Sequence, residues 1–123
     1  MKDLTSWQAQ LRKGAAEMVV LALLERQELY WIEVLEHAGG KIGVLSKSTA
    51  YGVLSRLERE GKILGNWVES LPSDYPRKCY RLSSDGQASL AQMKSTWADF
   101  AAFVTSVIER PAVEAAPEAM SEE

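Results

Sequence analysis

His37 is the only histidine in this 123-residue chain and Cys79 the only cysteine. A Cys/His zinc site is thereby excluded, no internal disulfide can form, and a Ser-His-Asp or Cys-His hydrolase would have to be built on His37. Glu33, Asp74 and Asp85 are the acids that acid–base chemistry would draw on, but no nucleophile–base spacing accompanies them and no glycine-rich loop is present to cradle a phosphate. The expectation is a protein that is not an enzyme and carries neither metal nor cofactor. Charge is the more informative signal. Residues 41–82 hold eight basic and four acidic side chains and residues 109–123 hold one and five, on a chain of net charge −3. A basic region on an acidic protein is the footprint of a polyanion partner, although a plain solvated face has the same composition.

Periodicity predicts the elements that would position those charges. Trp7, Leu11, Ala15, Met18 and Ala22 recur at spacings of three and four, which predicts a first helix from Trp7 to Glu25 with Ser6 as its cap. A shorter helix begins near Tyr30, with Ile32, Val34, Leu35 and Ala38 available for burial, and Gly39-Gly40 ends it in the left-handed conformation that glycine favours. Ile42, Val44 and Leu45 read as partly extended. Ser46 then caps a third helix, Lys47 to Glu60, closed by Gly61. Ala50, Val53, Leu54 and Leu57 share one face of it; Ser48, Gly52, Ser55 and Arg59 share the other, with Tyr51 and Arg56 on the flanks. That polar face is slim where a helix selected for solubility carries long charged side chains.

Ile63–Val68 and Lys78–Leu82 are rich in β-formers and flank a turn-forming stretch, Ser70–Pro76, so they read as a hairpin with a long tip. Ser83 or Ser84 caps a last helix running to about Ile108. Leu90, Met93, Trp97, Phe100, Val104 and Val107 form an a/d seam along it, enlarged by Phe103 and Ile108, and are expected at a dimer interface. The expected fold is mainly α with a small two-stranded β-wing: a winged helix-turn-helix over residues 1–82, a long C-terminal dimerisation helix over 83–108, and a disordered acidic tail over 109–123. No run approaches the roughly 18 consecutive apolar residues of a membrane span, and no secretory signal opens the chain, which predicts a cytoplasmic protein without membrane contact.

In that layout one helix enters the major groove of DNA and the hairpin reaches neighbouring phosphates. Lys47, Ser48 and Thr49 sit in the first turn of the third helix, where they either touch phosphate and base edges or only cap the helix. Tyr51 touches DNA or packs on the wing; Ser55 lies on the slim face; Arg56 reaches DNA or pairs with Glu60 four residues on. Arg77 and Lys78 contact phosphate or merely keep the wing soluble. His37 reads as an exposed helix-end residue, and Cys79 as packed under the wing or inert.

Gln10–Leu24 (QLRKGAAEMVVLALL), Leu29-Tyr30 with Ile32-Glu33, Ser46–Gly61 (SKSTAYGVLSRLEREG) and Pro76–Gly86 (PRKCYRLSSDG) together resemble the PadR family of bacterial transcriptional regulators. The most specific parts are Tyr51 with Arg56-Leu57-Glu58 and Gly61, and Pro76-Arg77-Lys78 with Tyr80, Leu82 and Asp85-Gly86. The chain departs from the family pattern at Gly52 (usually proline), Ala50 (often leucine), Trp31-Ile32 (often Gly-Tyr) and Cys79 (usually tyrosine), so no base preference carries over. The resemblance is to the compact branch, in which one long C-terminal helix makes the dimer, and it favours phosphate contact for Arg77 and Lys78. It also implies that a tryptophan on that helix lines a cavity at the dimer centre and stacks on flat hydrophobic compounds. Trp97 matches, with Met93 and Phe100 beside it and Trp7 placed to close the same space; pure dimer packing is the other role open to Trp97. The function expected is a sequence-specific DNA-binding transcriptional regulator, a homodimeric repressor of double-stranded DNA sites released by a small planar aromatic effector. The competing class is a winged-helix protein-interaction module that does not bind DNA.

Overall fold

A computed structural model of the chain describes residues 4–39, 46–69 and 77–112. Helix α1 spans Thr5–Arg26 and buries Ala16, Val20, Leu21 and Leu24. It starts two residues before the expected Trp7: Leu4 occupies the N-cap position without a side-chain bond, so Ser6 lies inside the helix instead of capping it. Trp7 and Leu11 therefore extend past the core and remain exposed.

Strand β1, Leu29–Tyr30, is an element the sequence did not announce, because two residues are too few to show alternation. It is held by a partner: Leu29 faces Tyr80 and Tyr30 faces Cys79 in an antiparallel pairing. Helix α2, Trp31–Ala38, follows at once. The Tyr30 backbone N–H donates to the Glu33 carboxylate at 2.8 Å, satisfying one of the donors a helix start leaves over, so Glu33 is engaged in capping. Val34 and Ala38 face inward, four residues apart; Ile32, two positions before Val34, is carried to the other side and stays exposed. Gly39 ends the helix in an extended conformation (φ −95°, ψ −158°) and not in the expected left-handed one, while its N–H still donates to the Leu35 carbonyl at 2.8 Å. Gly40, and the extended stretch expected at Ile42, Val44 and Leu45, lie outside the described residues.

Helix α3, Lys47–Arg59, has both ends where its cap residues place them. Ser46 Oγ accepts the Thr49 N–H at 3.3 Å. Gly61 takes φ +80°, which a side chain would resist, and the turn closes as a Schellman motif: the Gly61 N–H donates to the Glu58 carbonyl at 3.0 Å and the Lys62 N–H to the Leu57 carbonyl at 2.9 Å. Strands β2 (Ile63–Val68) and β3 (Arg77–Leu82) pair antiparallel from Ile63↔Leu82 to Val68↔Arg77. The sheet order is β1-β3-β2, so the expected two-stranded wing is part of a three-stranded sheet with β3 in the middle. The hairpin tip at 70–76 lies outside the described residues.

Helix α4, Ser84–Ile108, is capped by Ser83 and runs for 25 residues. Its start is fastened to the turn that ends α3. The Ser83 hydroxyl donates to the Gly61 carbonyl at 2.6 Å, the Ser83 N–H donates to the Lys62 carbonyl at 3.1 Å, and the Gly86 N–H donates to Ser83 Oγ at 3.0 Å. Any side chain at position 86 would overlap the Lys62 carbonyl, which explains the glycine. Leu21, Leu54, Leu57, Ile63 and Leu90 are the largest fully buried side chains, drawn from α1, α3, β2 and α4. Leu90, expected at a dimer interface, is enclosed within the chain at 1% exposure, and the exposed part of the seam begins beyond it. Of the expected tail, 113–123 falls outside the described residues. No described helix is long and apolar enough to cross a membrane.

Candidate nucleic-acid interface

Because α3 buries Ala50, Leu54 and Leu57, its opposite side is turned outward: Ser48, Gly52 and Arg59 are exposed and Ser55 is half-buried. Lys47, Ser48 and Thr49 are all exposed in its first turn. The Ser46 hydroxyl donates to Thr49 Oγ1 at 3.0 Å, so Thr49 completes the cap with its side chain as well as its N–H. A positive helix end bearing an exposed lysine and serine suits an anion.

The wing supplies two cations laid on aromatic rings. The Arg77 guanidinium lies 5.3 Å from the centre of the Tyr30 ring, and Lys78 Nζ lies 5.6 Å from those of both Trp67 and Tyr80. Lys78 also donates to Glu58 at 2.8 Å, and that hydrogen bond holds its pKa above the ordinary lysine value. Gly65 leaves room for the pairing as it stands, since a Cβ there would fall 2.6 Å from Lys78 Cε and 3.0 Å from Glu58 Oε2. Tyr80 is buried, and burial raises its pKa. Tyr51 and Ser55 of α3 and Trp67, Arg77 and Lys78 of the wing line one cavity of about 310 Å³. The two most open aromatic side chains on it, Tyr51 and Trp67, are 69% and 68% exposed.

Residues 20–92 match the PadR-like family of transcriptional regulators, a stretch running from the second half of α1 into α4. This chain belongs to that family. The PadR-family protein is similar to a PadR family transcriptional regulator of Eggerthella lenta, at 26% identity over 88% of this chain and 94% of that one, with a TM-score of 0.75. A PadR-like transcription factor of Bacteroides fragilis is 27% identical over 83% of this chain and 98% of its own, at a TM-score of 0.66. A Streptococcus transcriptional regulator is 27% identical over 81% and 98%, at 0.68. The mainly helical fold with a small antiparallel sheet is that of the PadR winged-helix regulators.

Within this PadR-family protein the expected site residues divide. Tyr51, Ser55, Arg77 and Lys78 meet at the cleft, with Lys47, Ser48 and Thr49 at the leading end of the same helix. Arg56 is directed to Glu17 of α1 at 3.2 Å and to Glu60 at 3.4 Å. Tyr30, Trp31 and Trp67, which sequence reasoning passed over, also line the cleft. Trp67 faces Lys78 across the β2–β3 pairing, a neighbour legible only once the register is known.

A second concavity, about 460 Å³, runs between α1 and α4. Met93, Trp97 and Phe100 line it together with Gly14, Glu17 and Met18, while Trp7 is not among its lining residues. Trp97 and Phe100 are 47% and 58% exposed, Val104 is half-buried, and Phe103, Val107 and Ile108 continue the apolar stripe. His37 is exposed in the last turn of α2. Cys79 lies 3.8 Å from the Glu28 carboxylate; burial, then that negative neighbour, push its thiol pKa up and keep it protonated. Among the described residues no group of three or more His, Cys, Asp or Glu side chains is placed to hold a metal ion.

Proposed function

We propose that this PadR-family protein is a sequence-specific DNA-binding transcriptional regulator acting as a homodimer, and that it represses by occupying its operator. The observation that carries the reading is the shared cleft, where α3 and the wing present Tyr51, Ser55 and Arg77 side by side. In this reading Lys47, Ser48 and Thr49 meet phosphate and base edges, Ser55 and Gly52 let the groove wall come close, and Arg77 takes a phosphate. Lys78, tied to Glu58, is the weaker of the two wing cations, and Arg56 acts through its hold on α1.

Residues 1–82 form the DNA-binding unit and 83–108 the dimerisation helix. The exposed stripe of Trp97, Phe100, Phe103 and Val107 on α4, with Trp7 and Leu11 on α1, is covered by a second copy of the chain. Two recognition helices then address half-sites about 34 Å apart. A flat aromatic effector held at Trp97, in the α1–α4 groove, shifts the population between DNA-competent and incompetent spacings of the wings. The DNA partner places the protein in the bacterial cytoplasm.

The test is a band-shift assay on DNA from upstream of its own gene, repeated across a salt series. Phosphate contacts force log K to fall steeply with log salt, by about 0.9 per contact. Absent or salt-insensitive binding would mark a winged-helix interaction module instead. A reporter under the shifted promoter should fall when the protein is expressed; a rise overturns repression.

A further inference from the structure

Four charges close a ring on one flank of α3. Glu17 of α1 accepts from Arg56 of α3 at 3.2 Å and, through its other oxygen, from Lys62 at 2.8 Å. Glu60 meets the same two cations, Arg56 at 3.4 Å and Lys62 at 3.5 Å. Cations and carboxylates alternate around the ring, so as a unit it is neutral and has little to offer a phosphate. The Glu17 and Lys62 side chains are 19% and 25% exposed, so the ring is partly shielded from water. The Lys62 carbonyl also accepts from the Ser83 N–H at the start of α4. One cluster therefore joins α1, the end of α3 and the lead into β2.

The wing holds α3 from another side, where Glu58 accepts from Lys78 at 2.8 Å. Arg56 and Glu58 stand two positions apart, and so project about 200° from each other around the helix. Leu57, between them in sequence, is fully buried, as are Ala50 and Leu54. Apolar burial is non-directional and sets how deep the helix sits. Charge-assisted hydrogen bonds are directional and resist its sliding and rotation. We propose that Glu17, acting through Arg56 and Lys62, is a positioning residue for DNA recognition: it fixes the setting of α3, and with it the alignment of the helix's outer residues on base edges, without touching DNA itself. The proposal rests on the DNA reading and deepens it, assigning part of the sequence discrimination to a residue of α1. Base contacts require one setting of the helix, whereas phosphate contacts tolerate a small shift. Loss of the tie therefore costs specificity before it costs affinity. Arg56 reaches both carboxylates from a single nitrogen, Nη1, so the point charge of a lysine can take its place. A guanidinium reading guanine would need its two-pronged fork.

The experiment measures the affinity of the full chain for its own upstream DNA and for an unrelated duplex of equal length. It is done at a temperature where circular dichroism shows each variant folded, so that lost stability does not enter. Glu17→Gln, Arg56→Gln and the double variant should each lower the preference for the upstream DNA by about tenfold, the size of one base contact, and the double by no more than the larger single loss. Affinity for the unrelated duplex and the salt slope should stay as in the wild type. Arg56→Lys should restore most of the preference. Lys94→Gln, which cuts the exposed tie of α4 to Glu25 of α1 at 2.8 Å and leaves α3 alone, should change nothing. Losses that add in the double variant, or a flatter salt slope in Arg56→Gln, would mean that Arg56 meets DNA directly and overturn the proposal. So would an Arg56→Lys protein no better than Arg56→Gln, or a Lys94→Gln protein as impaired as Glu17→Gln. A wild type that discriminates while Glu17→Gln discriminates equally well overturns the positioning role alone; a wild type that binds neither duplex overturns the DNA reading, and this proposal with it.

Discussion

Glu17 on α1 and Arg56 on α3 stand 39 positions apart in the chain and meet at 3.2 Å, while the second Glu17 oxygen accepts from Lys62 at 2.8 Å. One carboxylate thus ties α1 to the proposed recognition helix and to the turn that follows it. Burial acts to raise the Glu17 pKa, but the hydrogen bonds and charges of Lys62 and Arg56 together outweigh it, and the value lies below the ordinary 4.5. A carboxylate lowered in the folded state contributes stability above its unfolded pKa, and that contribution is lost as pH falls through the folded one. Glu17→Gln should accordingly destabilise the protein by about 1–2 kcal/mol at neutral pH, with the gap to wild type narrowing below about pH 4.5. Urea melts at pH 7 and at acid pH measure both. Equal stabilities at neutral pH would show the tie to be inert.

Two helical glycines should respond in opposite ways to one added methyl group. Gly52 has open space around its Cβ position, so Gly52→Ala should stabilise α3 by up to about 1 kcal/mol through backbone entropy. It also thickens the slim face, so the same variant should bind DNA more weakly. Gly86→Ala meets the Lys62 carbonyl and should destabilise by about 1–3 kcal/mol, since backbone on both sides has to move. Thermal melts read the first difference and the band shift the second. A Gly52→Ala protein that is more stable and binds DNA unchanged would mean that the groove wall does not approach this face.

What the sequence made legible was local. Ser46, Gly61 and Ser83 mark helix ends because each satisfies or permits a backbone arrangement within a few residues, and the hairpin strands show in their β-formers. What it hid depended on a partner far along the chain. β1 exists only against β3, and Leu90 shares the period of the seam, but periodicity does not say whether its own core or another subunit covers it. Of the proposed site, Arg77 and the first turn of α3 can be named from residue type alone. The Glu58 hold on Lys78, the Glu17 hold on Arg56 and the part played by Tyr30 and Trp67 required the register and the packing of α1.

That difference sharpens the expectation for the wing. Two free cations would flatten the salt slope by about two units when removed together. With Lys78 shared with Glu58, Arg77→Ala combined with Lys78→Ala should weaken binding at all sequences alike and flatten the slope by nearer one unit. Arg77→Ala alone should account for most of it. An unchanged slope would remove the wing from the phosphate contacts.

Exposure separates two classes of residue along α4. Phe100 is open to solvent in the single chain, so replacing Phe100 and Val104 by glutamate should leave a folded protein that sediments as a monomer, the paired charges costing several kcal/mol only in a dimer interface. Leu90→Ala should instead lower the stability of the subunit by about 2–5 kcal/mol, because it opens a cavity in the core. A double glutamate variant that stays dimeric would overturn the proposed interface, whichever way Leu90 behaves.

Trp97 lines the α1–α4 groove and is the residue on which an effector at the proposed dimer centre would stack. A flat neutral arene should quench the protein's fluorescence through contact with that indole, but Trp31 and Trp67 line the wing cleft and emit as well, so quenching alone does not locate the ligand. Trp97→Phe keeps the stripe apolar and removes the larger ring. If the arene sits in the groove, the variant should lose both the quenching and most of the heat of binding, while Trp67→Ala keeps them. Undiminished affinity in Trp97→Phe would leave Trp97 as packing between subunits.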